Sequence, residues 1–473
     1  MEETRIMAAK ETKTERPFGI RDKFGYMFGD FGNDFTFILS SSFLMKFYTD
    51  VMGVPAGVVG IIMMIARVVD AFTDVTMGRI CDRSPVTQAG KFKPWIHRMS
   101  GPVAIASFLI YQSAFAGMPM AFKIGWLFVT YILWGSIFYT SINIPYGSMA
   151  SAISAEPGDR QSLSTFRSIG GTLAGVIIGA GVPMVAYSKD AAGNTVMVGS
   201  RFTIIAGVFS VCAVLCYLLC YHLTTERVKP EVDPNRKQDN VGTMLMKAVK
   251  NRALISIIVA SIVMLLAQLT MQGMANYVYP NYYGNTAAQS ASTLIMMVTM
   301  FLSAALAKPI SNKFGKAELG VASNVMATAV CIILFIWKPQ NVWIYAGMMA
   351  LCWLGLGMYS MMSWALITDV IDYTEIQNGV REDGTVYALY SFARKLGQAA
   401  SSGLTGALLS LIGYTQATAF DPAVTDGIFT ISTLVPALGF GLLAAVLAFW
   451  YPLHKKQVDE DVAILKAKHE KKN

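Results

Sequence analysis

Residues 58–83 read VVGIIMMIARVVDAFTDVTMGRICDR. The apolar part is as long as the roughly 20 helical residues that cross a hydrocarbon core of about 30 Å, yet Arg67, Asp70 and Asp74 interrupt it. An ionised Asp at mid-bilayer costs roughly 2.5–3.5 kcal/mol even on a lenient insertion scale, so acids kept there are candidates for function. Asp70 and Asp74 lie four residues apart and share one helical face. Two carboxylates so placed, with Thr73 beside them and Thr140 from a later span, supply oxygen ligands for a small hard cation. A close pair can equally share one proton, because like charges raise one of the two pKa values. The plainer alternative for Asp70 is an ion pair with Arg67, one turn away.

Stretches of this kind recur along the chain, near 24–48, 58–80, 96–117, 123–150, 163–187, 201–224, 252–278, 288–311, 318–337, 341–368, 384–412 and 427–451. They predict an all-α membrane protein with twelve transmembrane helices. Composition agrees: 54% of the 473 residues are apolar and 14% charged, against roughly 25% charged in soluble proteins, and mean hydropathy is +0.47. An ordinary soluble enzyme is excluded. Of 38 Lys and Arg, 32 fall in segments on one side of this topology, which places both termini in the cytoplasm. The net charge of +8 is thus a topology signal and gives no reason to expect nucleic acid. The first 23 residues mix basic and acidic side chains without a cleavage site and read as a retained segment. Six scattered cysteines without a CxxC argue against a disulfide framework.

The longest internal polar stretch, TERVKPEVDPNRKQDN, precedes an amphipathic run and reads as a linker with a surface helix. The predicted organisation is a cytoplasmic segment at 1–23, a six-helix bundle at 24–224, the linker at 225–251, a second six-helix bundle at 252–453 and a cytoplasmic tail at 454–473. The halves echo each other: GRICDR…GKFKPW after span two matches KPISNKFGK after span eight, and GDRQSLSTFRSIGG matches GVREDGTVYALYSFARKLGQ. Such repeats build transporters that hold substrate at the midplane between halves.

Further polar groups sit where burial is costly. Asp30 and Asp34 share a face of span one, Asp30 close to its cytoplasmic end. Arg167 and Lys395 lie deep enough to neutralise buried acids or to bind a ligand oxygen, and Lys46 and Arg67 each need a partner. Asp369, Asp372 and Glu375, with Arg381 after them, read as an inner gate network. The basic run GRICDRSPVTQAGKFKPW is either a topology marker or a set of bridges between halves. Tyr26, Tyr131, Trp134, Tyr139, Tyr146, Trp353, Tyr359 and Trp364 offer aromatic surface for packing or for a sugar face. No Walker loop, HExxH or catalytic grouping is present, so energy must come from an ion gradient, a solute gradient or a partner.

Taken in order, FGNDF, FYTDVMG, ARVVDAFTD, GKFKPW, YTSINIPYGS, FRSIGG and DVIDYTE…YALYSFARKLGQ resemble the glycoside-pentoside-hexuronide:cation symporters, a branch of the major facilitator superfamily, over residues 18–453. The resemblance implies the major facilitator fold of two pseudo-symmetric six-helix bundles and a multi-pass place in the bacterial inner membrane. It implies import of a glycoside, pentoside or hexuronide with H+ or Na+, no cofactor, and a monomeric working unit in the lipid bilayer. By the same resemblance Asp34, Asn143, Tyr146, Arg167 and Lys395 hold the sugar. Asp70, Thr73, Asp74 and Thr140 hold the coupling cation, Asp70 and Asp74 acting as metal ligands only for Na+. Asp369, Asp372 and Arg381 remain the expected gate. Two departures favour an acidic sugar over melibiose and weaken the case for sodium. Asn143 stands where the melibiose branch has an acid, and Thr73 stands where it has Asn. An uncoupled exchanger or transceptor is the alternative; DAFTD also imitates the DxxxD of intramembrane prenyltransferases, but the second acidic motif is missing.

Overall fold

The computed structural model describes residues 16–228, 251–378 and 383–470. Twelve long helices follow one another: α1 (Ile20–Asp50), α2 (Ala56–Arg83), α3 (Lys93–Ile110), α4 (Met120–Ile153), α5 (Pro157–Ala186), α6 (Gly199–Leu223), α7 (Arg252–Tyr282), α8 (Thr286–Phe314), α9 (Lys316–Trp337), α10 (Val342–Asn378), α11 (Asp383–Leu411) and α12 (Pro422–Trp450). A tail helix, α13 (Lys455–Glu470), closes the described chain. A two-stranded hairpin, β1 (Tyr187–Lys189) and β2 (Thr195–Met197), joins α5 to α6. Among the described residues nine of these helices are long and apolar enough to cross a membrane by themselves. The other three, α1, α3 and α11, do not meet that measure, and α1 and α11 bring charged side chains such as Asp30 and Lys395 into the interior.

Packing repeats with an offset of six helices. α1 packs on α5 and α6 as α7 packs on α11 and α12; α2 meets α4 as α8 meets α10; α3 meets α6 as α9 meets α12. The halves join along α2–α11 and α5–α8, contacts that the same offset exchanges. The α2–α11 crossing is close because both sides offer glycine. A methyl group on Gly60 would lie 2.8 Å from the Ser402 carbonyl, and one on Gly406 would lie 2.5 Å from the Ala56 carbonyl. In lipid, where apolar burial between helices gains little, such backbone approach supplies the association.

At the face where the described chain begins, predicted to be cytoplasmic, the amino-terminal half is clasped by two acids. Asp22, fully buried, accepts from Arg16 at 2.9 Å, Arg227 at 3.0 Å and the Thr225 N–H at 3.0 Å. Arg227 also donates to the Arg16 and Ile153 carbonyls, so one carboxylate ties together the start of α1, the end of α4 and the segment after α6. Glu226 accepts from the N–H groups of Lys91, Phe92 and Lys93 at 2.7–2.9 Å, an anion at the positive end of α3. The GKFKPW run therefore meets the end of its own half, and among the described residues it makes no hydrogen bond to the other half. Asp22→Ala leaves two guanidinium groups without their carboxylate, and loss of one partner from a buried pair costs about 3–5 kcal/mol. A clearly lower unfolding midpoint in detergent is expected; an unchanged midpoint would show that the clasp contributes nothing.

Candidate functional site

Span one brings its two acids against α5 at a glycine. A methyl group on Gly171 would lie 2.7 Å from Asp34 Oδ2 and 3.1 Å from Asp30 Oδ2, so both carboxylates occupy the same cleft. Arg167, one turn earlier on α5, donates through Nε to Asp30 at 2.8 Å. The resemblance groups this arginine with Asp34 among the sugar-holding residues; its direct partner is Asp30. Its side chain is 41% exposed, its guanidinium stands 5.3 Å from the Tyr146 ring centre, and among the described residues neither Nη atom hydrogen-bonds to a carboxylate. Asp34 makes no hydrogen bond or ion pair among the described residues. Asn143 accepts from Asn33 at 3.3 Å, and Asn33 in turn accepts from Tyr217 at 2.9 Å. Tyr146 is buried, stacked on Tyr26 with ring centres 4.6 Å apart, and its hydroxyl donates to the Tyr26 carbonyl. Tyr146 thus forms the wall behind the arginine, with its own hydroxyl already engaged.

The second acidic pair faces α4. α2 and α4 run in the same direction, so Asp70 and Asp74 on one helix match Ser136 and Thr140 on the other, rung for rung. Ser136 donates to Asp70 at 2.5 Å and Thr140 to Asp74 at 2.8 Å. The α4 segment that carries Ser136 is a π-helical stretch, Leu133–Tyr139, a local widening often found at functional sites. Ser136 escaped the sequence reading, although its four-residue spacing from Thr140 repeats that of the two acids. Thr73 turns its hydroxyl to the Asp70 carbonyl. Each acid also has a cationic partner: Arg67 lies 3.3 Å from Asp70, and Lys395 of α11 pairs with Asp74. The Lys395–Asp74 pair joins the two halves, and Asp70 lies within electrostatic reach of the same ammonium.

One turn further outward lies a chamber of about 400 Å³ between the halves, within the size range of small-molecule sites. Ile38, Gly175, Arg67 and Gln398 line it, each about one helical turn from Asp34, Gly171, Asp70 and Lys395. Of the charged layer Arg67 alone reaches the lining; Asp34, Asp70, Arg167 and Lys395 lie beyond it. The carboxy-terminal half contributes mainly amides and hydroxyls, Gln272, Asn276, Gln289, Ser401 and Thr405 among them, and Trp353 supplies an aromatic face.

The roof of the chamber is a latch that answers the question posed by Lys46. This ammonium, 1% exposed, pairs with Asp50 at 2.7 Å and donates to Asn281 of α7 at 2.5 Å and to the Tyr414 hydroxyl at 2.8 Å. It also lies 4.4 Å from the centre of the Tyr277 ring. Tyr414 donates to Asp50, Asn276 donates to the Ser42 carbonyl, and Ser290 donates to the Ala180 carbonyl. Among the described residues the hydrogen bonds joining the halves lie at this outer end, apart from Lys395–Asp74. The protein is closed at this end, opposite the one that carries the ends of the described chain.

The expected gate residues are only partly placed. Asp369 pairs with Lys316 at 2.5 Å, a link between α10 and α9 within one half. Helix α10 continues to Asn378, so Asp369, Asp372 and Glu375 lie within it rather than after its end. Asp372 and Glu375 are each engaged in further interactions, and Arg381 lies outside the described residues, as does most of the predicted linker with its surface helix. Of the aromatics, Tyr26, Tyr131, Trp134, Tyr146 and Tyr359 are core side chains. Trp364 stacks on Tyr387, and Trp353 alone of the eight lines the chamber.

A family model described as MFS/sugar transport protein matches residues 25–455. The chain belongs to this family. Two relatives are a glucuronide carrier protein homolog of Escherichia coli (strain K12), 30% identical with 93% of each chain covered, and an isoprimeverose transporter of Lactiplantibacillus pentosus, 29% identical over 96% of this chain and 92% of its own. Among solved structures, a bacterial homolog of the human lysosomal transporter Spinster, in an inward-facing and unoccupied conformation, superposes with a TM-score of 0.69 at 12% identity. It covers 94% of this chain and 99% of its own, a likeness of fold alone. This member of the MFS/sugar transport family is a multi-pass protein of the bacterial inner membrane that carries sugars and is not an enzyme.

Proposed function

We propose that this protein is a secondary symporter that imports a glycoside, pentoside or hexuronide, with a glucuronide-like sugar favoured, together with H+ or Na+. The observation that carries this reading is the juxtaposition of an unpaired acid, Asp34, with an arginine whose Nη atoms have no carboxylate, beneath a chamber lined by amides and hydroxyls. Asp34 accepts from sugar hydroxyls, and Arg167 donates to sugar oxygens. Asn143 both donates and accepts without adding a charge, Tyr146 backs the arginine, and Lys395 reaches the sugar from the opposite half. Asp70, Asp74, Thr140 and the neighbouring Thr73 form the cation site. An incoming cation replaces Lys395 at Asp74, freeing the ammonium for substrate and loosening the one ion pair that joins the halves beneath the chamber among the described residues. Cation and sugar then strengthen each other's binding, as reciprocal linkage requires. Asp369, Asp372 and Arg381 would act at the inner gate, and the working unit would be a monomer. The glucuronide carrier and isoprimeverose transporter among the relatives are consistent with this substrate class.

Sugar-evoked charge movement in proteoliposomes tests the reading, with glucuronides, xylosides and galactosides scanned with and without sodium at two pH values. Current dependent on one cation is expected, and Asp34→Ala should weaken sugar binding about 10–100-fold in calorimetry, the loss of one charged hydrogen bond of roughly 1.5–3 kcal/mol. Wild-type sugar affinity in that variant would remove Asp34 from the site. One observation favours uncoupled exchange as a second reading: Arg67 and Lys395 already neutralise Asp70 and Asp74. Binding and counterflow with neither cation dependence nor current would support it.

A further inference from the structure

The interior acids divide sharply by partner. Asp30 has Arg167, Asp50 has Lys46, Asp70 has Arg67 and Asp74 has Lys395. Asp34 has none among the described residues. It shares its cleft with Asp30, and the single guanidinium there is bonded to Asp30, so two acids face one base beside Gly171. Among the described residues the remaining titratable groups that face Asp34 are Tyr139 of α4 and Tyr217 of α6, phenols that carry no charge near neutral pH. With both acids ionised the cleft holds one net negative charge. Arg167 could receive a carboxylate through its Nη atoms in the forked geometry that guanidinium favours. A second uncompensated negative charge in a poorly solvated cleft would oppose that docking.

We infer that Asp34 takes up one proton when an anionic sugar binds, so that a hexuronide enters together with a proton held at Asp34, apart from whatever cation occupies Asp70 and Asp74. The inference rests on the proposed sugar site and deepens it, naming the acidic sugars as the class for which the unpaired carboxylate matters. The step is a protonation alone. A solvent proton joins a carboxylate oxygen of Asp34, the uronate keeps its charge for Arg167, and the cleft plus ligand carries one negative charge rather than two. A neutral glycoside needs no such compensation and binds with Asp34 ionised and accepting from its hydroxyls.

The sign follows from linkage. If binding takes up one proton, uronide affinity is full at low pH and falls about tenfold per pH unit once the pH exceeds the titration of the free site. The affinity of the matching neutral glucoside stays level over the same range. The test is calorimetry on the purified full chain with a phenyl glucuronide and the corresponding phenyl glucoside, repeated in buffers of different ionisation enthalpy to count protons. At a pH above that titration, where the affinity falls, about one proton per glucuronide and none per glucoside is expected. Asp34→Asn mimics the neutral acid, so it should bind glucuronide with no proton uptake and no dependence on pH. Equal uptake with both sugars, or none with glucuronide, would overturn the inference. So would uptake persisting in Asp34→Asn, or a variant that no longer binds glucuronide. Should the wild-type chain bind neither sugar, the proposed sugar site itself fails, and the inference with it. Binding of both sugars without differential uptake leaves the sugar site standing and removes only the proton.

Discussion

Asp74→Asn is expected to abolish cation-driven accumulation of sugar. With one charge moved per sugar, a membrane potential of 100 mV is worth about 2.3 kcal/mol, enough for roughly 50-fold accumulation; in the variant the ratio of internal to external sugar should settle near one. The reason is local. Asp74 spreads its charge between the Thr140 hydroxyl and the Lys395 ammonium across the interface of the halves. Asparagine keeps the shape and the acceptor but has no charge to exchange between an ammonium and an incoming cation. Asp70→Asn should behave alike, because Asp70 is the second carboxylate of the same face and holds Ser136 and Arg67. Radiolabelled sugar uptake into energised vesicles checks both, and wild-type accumulation in either would remove that acid from the cation site.

Lys46→Met should push the protein toward its outward-open form. The substitution preserves length and apolar bulk but leaves Asp50 in the outer latch with Tyr414 and without its ammonium. Removing one partner of a buried ion pair costs about 3–5 kcal/mol. That cost falls chiefly on the closed arrangement, since opening lets water reach Asp50. A population shift of about 100-fold or more follows, because each 1.4 kcal/mol is a factor of about ten. Ser41 lines the chamber, so a cysteine placed there in a background without the six native cysteines reports the opening. Its labelling from outside by an impermeant maleimide should accelerate by about that factor. An unchanged rate would mean that the latch does not hold the outer side shut.

The helices were largely legible from the sequence, for a physical reason specific to lipid. A backbone that must satisfy its own hydrogen bonds in hydrocarbon has few choices, so an apolar run of sufficient length already specifies a helix. The ends were less legible: α10 runs on through Asp369, Asp372 and Glu375 because a charged helix can continue into water once its apolar part has ended. The acids themselves stood out, since each is costly in its run. Their partners did not. Span one offers two acids on one face, and nothing in FGDFGNDF says which of them Arg167 will take. That choice depends on the height at which α5 crosses α1 beside Gly171.

What the sequence determined by itself is thus what depends on local composition: the spans, the side on which basic loops lie, the repeat of the halves and the identity of the costly charges. Ser136 opposite Asp70, Lys395 against Asp74, Asn281 and Tyr414 around Lys46, and the solitude of Asp34 were decided only by the tertiary structure. Each of these rests on contacts between residues dozens to hundreds of positions apart, and side-chain reach of a few ångströms is set by how helices cross rather than by what any one of them contains.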